Sequence, residues 1–186
     1  MKKRHFLGMA ALLPRWPVFA QEIPHQVWSQ ARALRGIPTQ SGMTNPSLYV
    51  FFDPNCPYCA QLWSIPIDGK PFHDLPSVWI PVAYLSKSSL DKSAACLRGG
   101  RKEDLQLNFS NYNRQQRLGG IPGVQPTRAE RSALNSAEAL WITLGGGTPM
   151  LFYRTRQGDA KVFMGLTSES DMTALVHKMA LPNRSM

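Results

Sequence analysis

The feature that most constrains the fold of this chain is a pair of cysteines, Cys56 and Cys59, directly after a stretch with the pattern of a buried strand. Residues 47–52 end in the continuous apolar run Leu-Tyr-Val-Phe-Phe, which is typical of a strand covered on both faces. Residues 56–65 predict a short helix that ends before Pro66, because proline cannot continue the helical hydrogen-bond pattern. The sequence therefore predicts a strand–turn–helix unit with both thiols in the first turn of the helix.

The predicted position of Cys56, at a helix N-terminus, favours its ionised form. Unpaired backbone N–H groups and the positive end of the helix dipole stabilise a thiolate there, and the thiolate is the attacking species in disulfide exchange. Cys59 lies one helical turn further on, under the helix, where it can resolve a mixed disulfide formed at Cys56. Between them, Pro57 restricts the backbone and Tyr58 offers an aromatic contact, so we expect both to tune the redox potential.

The cysteine pair has two other uses that the sequence leaves open. One is half of a zinc site, but a second ligand pair is missing, because Cys96, His73 and His25 are scattered single residues. The other is a structural disulfide, which is common in exported chains. The strand–turn–helix placement favours a redox pair over both. We therefore expect no metal, and no cofactor beyond the redox-active Cys56–Cys59 disulfide.

The composition is that of one globular domain. The chain has 186 residues, of which 43% are hydrophobic and 10% aromatic, and this excludes a disordered or collagen-like chain. No apolar run approaches the ~18 residues of a membrane span. Three cysteines are too few for a disulfide scaffold.

The N-terminus has the layout of a secretory signal peptide. A basic start at residues 2–4, an apolar stretch at 6–13 and Val-Phe-Ala at 18–20 predict cleavage after Ala20. We therefore expect export to the bacterial periplasm. Loss of residues 1–20 removes four of the 21 basic residues and lowers the formal net charge from +9 to +5. That charge is weak evidence for nucleic acid, and we expect no nucleic-acid partner.

Beyond the cysteine helix, the sequence predicts alternating strands and helices around a mixed sheet. Residues 78–85 are expected to form a strand in which Pro81 indicates an edge or a bulge. Residues 88–145 are expected to be a helical insert. The other predicted elements are an N-terminal helix on Val27, Ala31 and Leu34, a capping box of Thr127 and Glu130, a hairpin of strands at 150–153 and 161–164, and a last helix capped by Ser168. The chain then divides into a signal peptide (1–20), an N-terminal helix and linker (21–46) and one catalytic domain (47–182).

Residues 50–63, Val-Phe-Phe-Asp-Pro-Asn-Cys-Pro-Tyr-Cys-Ala-Gln-Leu-Trp, resemble the active-site segment of the periplasmic thiol:disulfide interchange proteins of the DsbC/DsbG type. The segment is more similar to that of DsbG, which has the same Cys-Pro-Tyr-Cys. The resemblance continues through residues 79–85 and through Leu-Gly-Gly-Gly-Thr-Pro-Met at 144–150, and it covers the chain from about 47 to 180.

This resemblance implies an α/β fold of the thioredoxin-like type, with a mixed central sheet, flanking helices and a helical insertion. It also makes Pro149 the cis-proline opposite the cysteine pair, with Thr148 immediately before it. A substrate strand is then expected to bind beside the reactive sulfur, through Thr148 and Pro149. The implied partners are proteins with disulfides or oxidised cysteines, and a membrane thiol reductase that keeps the pair reduced.

The chain departs from the DsbC/DsbG type in its N-terminal part. Residues 21–47 contain one weak helix where that type has a dimerisation domain, so we expect a monomer. Cys96 stands near a structural cysteine of DsbC but without its partner, and is expected to be a buried small hydrophobic residue, with a third redox thiol as the alternative. Asp53 is expected to cap the cysteine helix, with an influence on proton transfer as the alternative.

Two functional hypotheses follow from these observations. The first is an exported thiol–disulfide oxidoreductase of the reductase or isomerase type, which exchanges disulfides or reduces sulfenic acids in protein substrates. The second is a binding module, either a thioredoxin-like holdase chaperone or a metal-handling protein, in which the thiols bind metal or are only structural. Loss of disulfide reduction on substitution of Cys56 distinguishes them.

Overall fold

The computed structural model describes residues 23–181, so the predicted signal peptide at 1–20 lies outside the described residues. The helices are α1 (His25–Ala33), α2 (Pro57–Ser64), α3 (Ser89–Gly99), α4 (Lys102–Ser110), α5 (Arg128–Thr143) and α6 (Glu169–His177), with a short 3-10 helix at Phe72–Asp74. The strands are β1 (Ile37–Pro38), β2 (Leu48–Phe52), β3 (Pro66–Ile67), β4 (Lys70–Pro71), β5 (Val78–Pro81), β6 (Met150–Arg154) and β7 (Ala160–Met164). None of the helices in this described part of the chain is long and apolar enough to span a membrane.

The central sheet is mixed, as predicted, and has five strands in the order β1-β5-β2-β6-β7. The middle strand, β2, runs parallel to β5 and antiparallel to β6. The antiparallel pairing sets Met150, the first residue of β6, opposite Phe51 near the end of β2. The turn that follows β2 and the turn that precedes β6 therefore lie next to each other at the same end of these two central strands. β6 and β7 form the predicted hairpin.

Helices cover both faces of the sheet. On one face, Trp28 of α1 and Trp141 of α5 pack in one apolar cluster with Phe51. On the other face, side chains of α2, α3, α4 and α6 pack with Val50 and Phe52. Alternate residues of β2 thus contribute to opposite clusters, as the two-residue period of a strand requires. Coverage of both faces explains why β2 is apolar throughout.

The predicted helical insert at 88–145 is wrong in its middle part. α3, α4 and α5 lie within it, but residues 111–127 form an irregular segment. This segment passes close to the turn after β2, where a Cβ at Gly119 would clash with the Pro54 carbonyl oxygen, so only glycine allows the approach. The capping box at the start of α5 is confirmed, because the Thr127 hydroxyl accepts the Glu130 N–H and the Glu130 carboxylate accepts the Thr127 N–H.

The second predicted strand is shorter than expected, since β5 ends at Pro81 and not at residue 85. β1 pairs only with Val78 and Trp79 of β5. At Pro81 the strand therefore has a neighbour, β2, on one side only, and a residue without an N–H group is tolerated there. β1 lies in residues 21–46, for which the sequence predicts a helix and a linker but no strand. A strand of two residues is too short to give a periodic pattern.

Candidate active site

The turn between β2 and α2 places Cys56 at the N-terminus of the helix. Cys56 is the N-cap residue, and Pro57 occupies the first helical position. A proline there costs no helical hydrogen bond, because the N–H group at this position has no partner within the helix. The Cys56 sulfur accepts the Cys59 backbone N–H at 3.2 Å, so it takes the capping role that an oxygen of Ser or Asp usually has. Tyr58 lies at the surface, 59% exposed.

The two thiols, both free, have opposite electrostatic environments. A hydrogen bond with the Cys59 side chain is the largest influence on Cys56 and lowers its pKa below the usual thiol value. Burial is the largest influence on Cys59 and raises its pKa well above that value, and the neighbouring Cys56 raises it further. Cys56 therefore ionises first. The two residues differ little in exposure, at 2% for Cys56 and 0% for Cys59, so we expect charge stabilisation, more than access, to distinguish their reactivity.

The turn before β6 brings Thr148 and Pro149 against Cys56. The peptide bond between these two residues is cis, and the Thr148 carbonyl oxygen accepts a hydrogen bond from the Cys56 thiol at 3.5 Å. The Trp141 indole N–H donates to the Gly147 carbonyl at 2.8 Å, which anchors the turn to α5. The structure thus brings the cysteine pair and both expected substrate-binding residues together, while their binding role stays a prediction.

Asp53 does not cap α2, contrary to the expectation, because Cys56 is the N-cap. The Asp53 side chain is completely buried. Its carboxylate accepts four hydrogen bonds of 2.8–3.0 Å, from the backbone N–H groups of Asn55, Tyr84 and Leu85 and from the Ser89 hydroxyl. A buried carboxylate needs such donors because it has lost its water. Asp53 therefore fastens the active-site turn to the loop that follows β5.

Asn55 is a second turn residue with a structural role, which the sequence analysis does not assign. Its side-chain amide contacts the hydroxyls of Ser86, Ser88 and Ser89 and accepts the Gly119 N–H. Its carbonyl accepts the Tyr112 hydroxyl at 2.8 Å. These bonds join segments that are far apart in the sequence. The local Asp-x-Asn pattern is typical of a turn, and it is the one sequence signal that points to Asn55.

Tyr84 forms one wall of the site, although the sequence places it only in the second strand. Its ring packs on Trp141 with 4.7 Å between the ring centres. Its hydroxyl lies 2.8 Å from the Thr148 side-chain oxygen, within hydrogen-bond distance. Tyr84 therefore connects the loop after β5 with the turn before β6.

By sequence, the chain matches no protein-family model but is similar to a known thiol:disulfide protein. The thiol:disulfide interchange protein DsbG of Pseudomonas aeruginosa is 25% identical over 114 residues, which are 60% of this chain and 43% of that protein. The chain thus matches less than half of the length of this relative. The match confirms, in general form, the resemblance to Dsb-type thiol:disulfide proteins.

Solved structures show which fold this is. A periplasmic thioredoxin-like protein from Salmonella enterica serovar Typhimurium aligns with a TM-score of 0.58 at 20% identity, over 84% of this chain and 97% of that one. The catalytic domain of Proteus mirabilis ScsC aligns with a TM-score of 0.56 at 20% identity, over 81% of this chain and 95% of that one. The fold is thioredoxin-like. The predicted fold class is therefore confirmed.

In this thioredoxin-like domain, Cys96 lies on α3 and in the same buried cluster as the redox pair. It is completely buried, and burial raises its pKa to about 12, as expected for a small hydrophobic residue and not for a reactive thiol. Within residues 23–181, no three His, Cys, Asp or Glu side chains form a group that could hold a metal ion. The absence of a metal and of a further cofactor stays a prediction.

Proposed function

We propose that this chain is a periplasmic thiol–disulfide oxidoreductase that exchanges disulfides, or reduces sulfenic acids, in protein substrates. The observation that carries the proposal is geometric: two free thiols lie within one helical turn, and the Cys56 sulfur at the helix N-terminus accepts the Cys59 backbone N–H at 3.2 Å. The lowered pKa of Cys56 beside the raised pKa of Cys59 agrees with it. Disulfide exchange uses this division, because a thiolate attacks while a nearby thiol stays protonated until it is needed. The DsbG relative and the thioredoxin-like fold support the same activity.

Reduction of a substrate disulfide takes two steps on these sulfurs. The Cys56 thiolate attacks one substrate sulfur, forms a mixed disulfide and releases the other substrate sulfur as a thiolate. This step removes the negative charge beside Cys59, which is one of the influences that raise the pKa of Cys59. Cys59 then loses its proton and attacks the Cys56 sulfur, so that the second substrate thiolate leaves and a Cys56–Cys59 disulfide forms.

A substrate sulfenic acid reacts with the same pair. Attack by the Cys56 thiolate, with uptake of one proton, forms the mixed disulfide and releases water, and the second step is unchanged. In both reactions the Cys56–Cys59 dithiol supplies two electrons and must afterwards be reduced again. We assign that reduction to a membrane thiol reductase.

Exposed apolar side chains on the segments that build the site favour polypeptide substrates. Six large hydrophobic side chains are exposed in residues 23–181, and four of them, the apolar rim, lie on or next to the segments that form the site: Tyr58, Tyr84, Leu85 and Met164. Leu85 follows Tyr84 and is held by Asp53, and Met164 lies against the glycine turn before Thr148. Clustered exposed apolar side chains mark surfaces that bind other polypeptides. The rim therefore supports protein substrates and not small thiols alone.

The periplasm is the compartment that suits this chemistry. The basic start, the apolar stretch and the Val-Phe-Ala sequence at residues 2–20 support export. The similar Salmonella protein is described as periplasmic. Protein disulfides, the substrates of the proposed reaction, persist in that oxidising compartment.

Catalysed reduction of insulin by dithiothreitol tests the proposal. We expect the wild type to accelerate the reaction and Cys56→Ser to fall to the uncatalysed rate. Cys96→Ala removes a buried thiol that takes no part in the proposed reaction and should keep wild-type turnover, so it controls for the loss of any cysteine. Equal rates for the wild type and Cys56→Ser would contradict the proposal. Client protection that persists in the Cys56/Cys59 double variant would then favour a holdase.

A further inference from the structure

We propose that Tyr112 is a positioning residue for this thiol–disulfide chemistry: its hydroxyl holds the peptide unit between Asn55 and Cys56 and thereby keeps the Cys56 sulfur in its bond with the Cys59 N–H. The inference deepens the proposed function, on which a role of Tyr112 in turnover rests. The hydrogen bond of Tyr112 itself belongs to the resting protein and can be measured without a substrate.

The peptide unit that precedes the reactive sulfur is bonded at both of its polar groups. The Asn55 carbonyl accepts the Tyr112 hydroxyl at 2.8 Å, and the Cys56 N–H donates to the Asp53 carbonyl at 3.0 Å. A peptide unit is planar, so these two bonds together fix its orientation. A carbonyl that accepts a hydrogen bond also polarises the N–H of the same unit, which strengthens the second bond.

The orientation of this peptide unit decides where the Cys56 sulfur lies. Cys56 continues from the unit with φ at −76°, and its sulfur accepts the Cys59 N–H at 3.2 Å. A backbone N–H that bonds this sulfur stabilises the thiolate more than the thiol. A turn that is free to rotate keeps that bond for only part of the time. Tyr112 therefore acts on the sulfur through the peptide unit.

A short loop after α4 brings Tyr112 to Asn55. Asn113 and Leu118 exchange two backbone hydrogen bonds, at 2.8 and 3.1 Å, and close this loop. Tyr112 precedes the loop and Gly119 follows it. The Gly119 N–H donates to the Asn55 side chain at 3.0 Å, while Tyr112 bonds the Asn55 carbonyl. Asn55 is thus held from both ends of one loop.

The loop is fixed independently of the Tyr112 hydroxyl. The Lys92 ammonium group, on α3, donates to the carbonyl oxygen of Gly119 at 2.7 Å and also to that of Ile121. A Cβ at Gly119 would clash with the Pro54 carbonyl oxygen, so the backbone there lies as close to the active-site turn as glycine allows. Because the segment is already ordered, little conformational entropy is lost when the hydroxyl of Tyr112 bonds Asn55.

Asn55 has no ready substitute for this hydroxyl. The residue is 2% exposed, so water has little access to its carbonyl, and a buried carbonyl without a donor is unfavourable. Burial, the largest influence, raises the pKa of Tyr112 to about 12, so the phenol keeps its hydrogen throughout the range in which thiols ionise. Without the hydroxyl, we expect the turn to move until the carbonyl finds another donor, and the Cys56 sulfur to move with it.

The other titratable and charged groups near Cys56 and Tyr112 bond different atoms. They are Cys59 on α2, Asp53 in the turn, Tyr84 in the loop after β5 and Arg117 in the loop after α4. The Asp53 carboxylate accepts the Asn55 N–H at 2.8 Å, which belongs to the preceding peptide unit. The Tyr84 hydroxyl lies 2.8 Å from the Thr148 side-chain oxygen. Tyr112 is the member of this set whose side chain bonds the peptide unit of Cys56.

The pH dependence of Cys56 alkylation by iodoacetamide, read peptide by peptide by mass spectrometry, tests the inference. Tyr112→Phe removes the hydroxyl and keeps the ring. We expect its midpoint pH to rise, so that the Cys56 rate below the wild-type midpoint falls about threefold, within the size of one hydrogen bond. The NMR chemical shift of the Asn55 carbonyl carbon should also move in this variant, because it reports the lost hydrogen bond directly.

Tyr153→Phe is the matched control. It removes a phenolic hydroxyl from β6, where Tyr153 pairs with Leu48 at the start of β2, the end of that strand away from Cys56. We expect the wild-type midpoint and an unmoved Asn55 shift. Buried Cys96 reports folding, since it stays unreactive while a variant is folded.

An unchanged midpoint or an unmoved Asn55 shift in Tyr112→Phe would overturn the inference, and so would an equal rise of the midpoint in Tyr153→Phe. If the midpoint rises and the Asn55 shift moves in a protein whose wild type does not reduce insulin, the positioning of Cys56 by Tyr112 is upheld and the proposed function is refuted instead.

Discussion

Cys56 and Cys59 show how strongly position determines the chemistry of a side chain. The two thiols lie in the same helical turn and are almost equally covered, yet their pKa values move in opposite directions. The sulfur at the helix N-terminus accepts a backbone N–H, whereas the sulfur beneath the helix has lost water without gaining a comparable donor. A proton is therefore released from Cys56 at a pH at which Cys59 retains its own.

We expect this asymmetry to be visible in alkylation. Cys56 should be modified at lower pH than Cys59, which stays protonated, and than Cys96, whose pKa is about 12. Mass spectrometry of iodoacetamide-treated protein between about pH 4 and pH 9, around the usual thiol range, measures all three rates in one sample. Equal rates for Cys56 and Cys59 at every pH would contradict the proposed division of roles.

Asp53 acts at the same scale, but on stability. Asp53→Asn replaces one carboxylate oxygen with an NH2 group, which cannot accept hydrogen bonds and faces the donors that the oxygen had bound. We therefore expect the free energy of unfolding to fall by about 2–4 kcal/mol. Urea unfolding measures it. Asp159→Asn, at the exposed turn between β6 and β7, makes none of these bonds and should change the free energy by less than about 0.5 kcal/mol. Equal stability of the two variants would show that the four hydrogen bonds of Asp53 contribute little.

At the level of elements, local sequence signals predict some parts of the fold and miss others. β2, the hairpin and the capped start of α5 have strong local patterns, and each lies where the sequence predicts it. Residues 111–127 are irregular because they fit against the active-site turn, with Gly119 bonded to Asn55. β1 exists because it pairs with β5. Both depend on contacts between distant segments, which periodicity does not contain.

An ion pair joins α3 to the start of α5. Arg98 donates two hydrogen bonds to the Glu130 carboxylate, at 2.9 and 2.7 Å. This bonding is the largest influence on Glu130 and lowers its pKa from 4.5 to about 2. As pH falls, the unfolded chain binds the proton first. The stabilisation is therefore fully present above about pH 4.5 and is lost as the pH falls towards about 2.

We expect Glu130→Gln to lower the free energy of unfolding at neutral pH, and its difference from the wild type to shrink steadily below about pH 4.5, the usual pKa of a glutamate. Urea unfolding at a series of pH values measures this difference. Glu138→Gln, on the same helix, is the matched control and should change the free energy of unfolding at neutral pH by less than about 0.5 kcal/mol. A difference for Glu130→Gln that does not depend on pH would contradict this account of the ion pair.

At the scale of the whole molecule, the active site is assembled from four segments. They are the β2–α2 turn with the cysteine helix, the loop after β5, the irregular segment 111–127 and the turn before β6. The cysteine pair could be predicted from the sequence, because strand, turn and helix all lie within residues 47–65. The family resemblance predicts Thr148 and Pro149 as the residues that bind a substrate strand. The roles of Asp53, Asn55 and Tyr84 could not be predicted, since their partners lie 31 to 64 residues away and are reached only through the sheet topology.

The packing of α1 leads us to expect a monomer. The buried face of this helix, Trp28 and Ala31, lies against the chain's own core, with Trp28 at 4.8 Å from Phe152 between ring centres. A face covered in this way is not free for a partner, and a stable interface needs roughly 1,600 Å². Light scattering at micromolar concentration should give the monomer mass, and reshuffling of a scrambled multi-disulfide protein should be slow. A stable dimer with efficient reshuffling would contradict this expectation.

The central claim, that Cys56 attacks protein disulfides and Cys59 resolves the product, is tested most directly by trapping the mixed disulfide. Cys59→Ser removes the resolving thiol and keeps the attacking one. Mixed with an unfolded protein that contains a disulfide, this variant should accumulate a disulfide-linked complex that dithiothreitol separates by reduction. Peptide mapping should place the intermolecular disulfide at Cys56. The Cys56→Ser/Cys59→Ser variant should form none. Absence of a complex with Cys59→Ser, or a link through Cys96, would contradict the account.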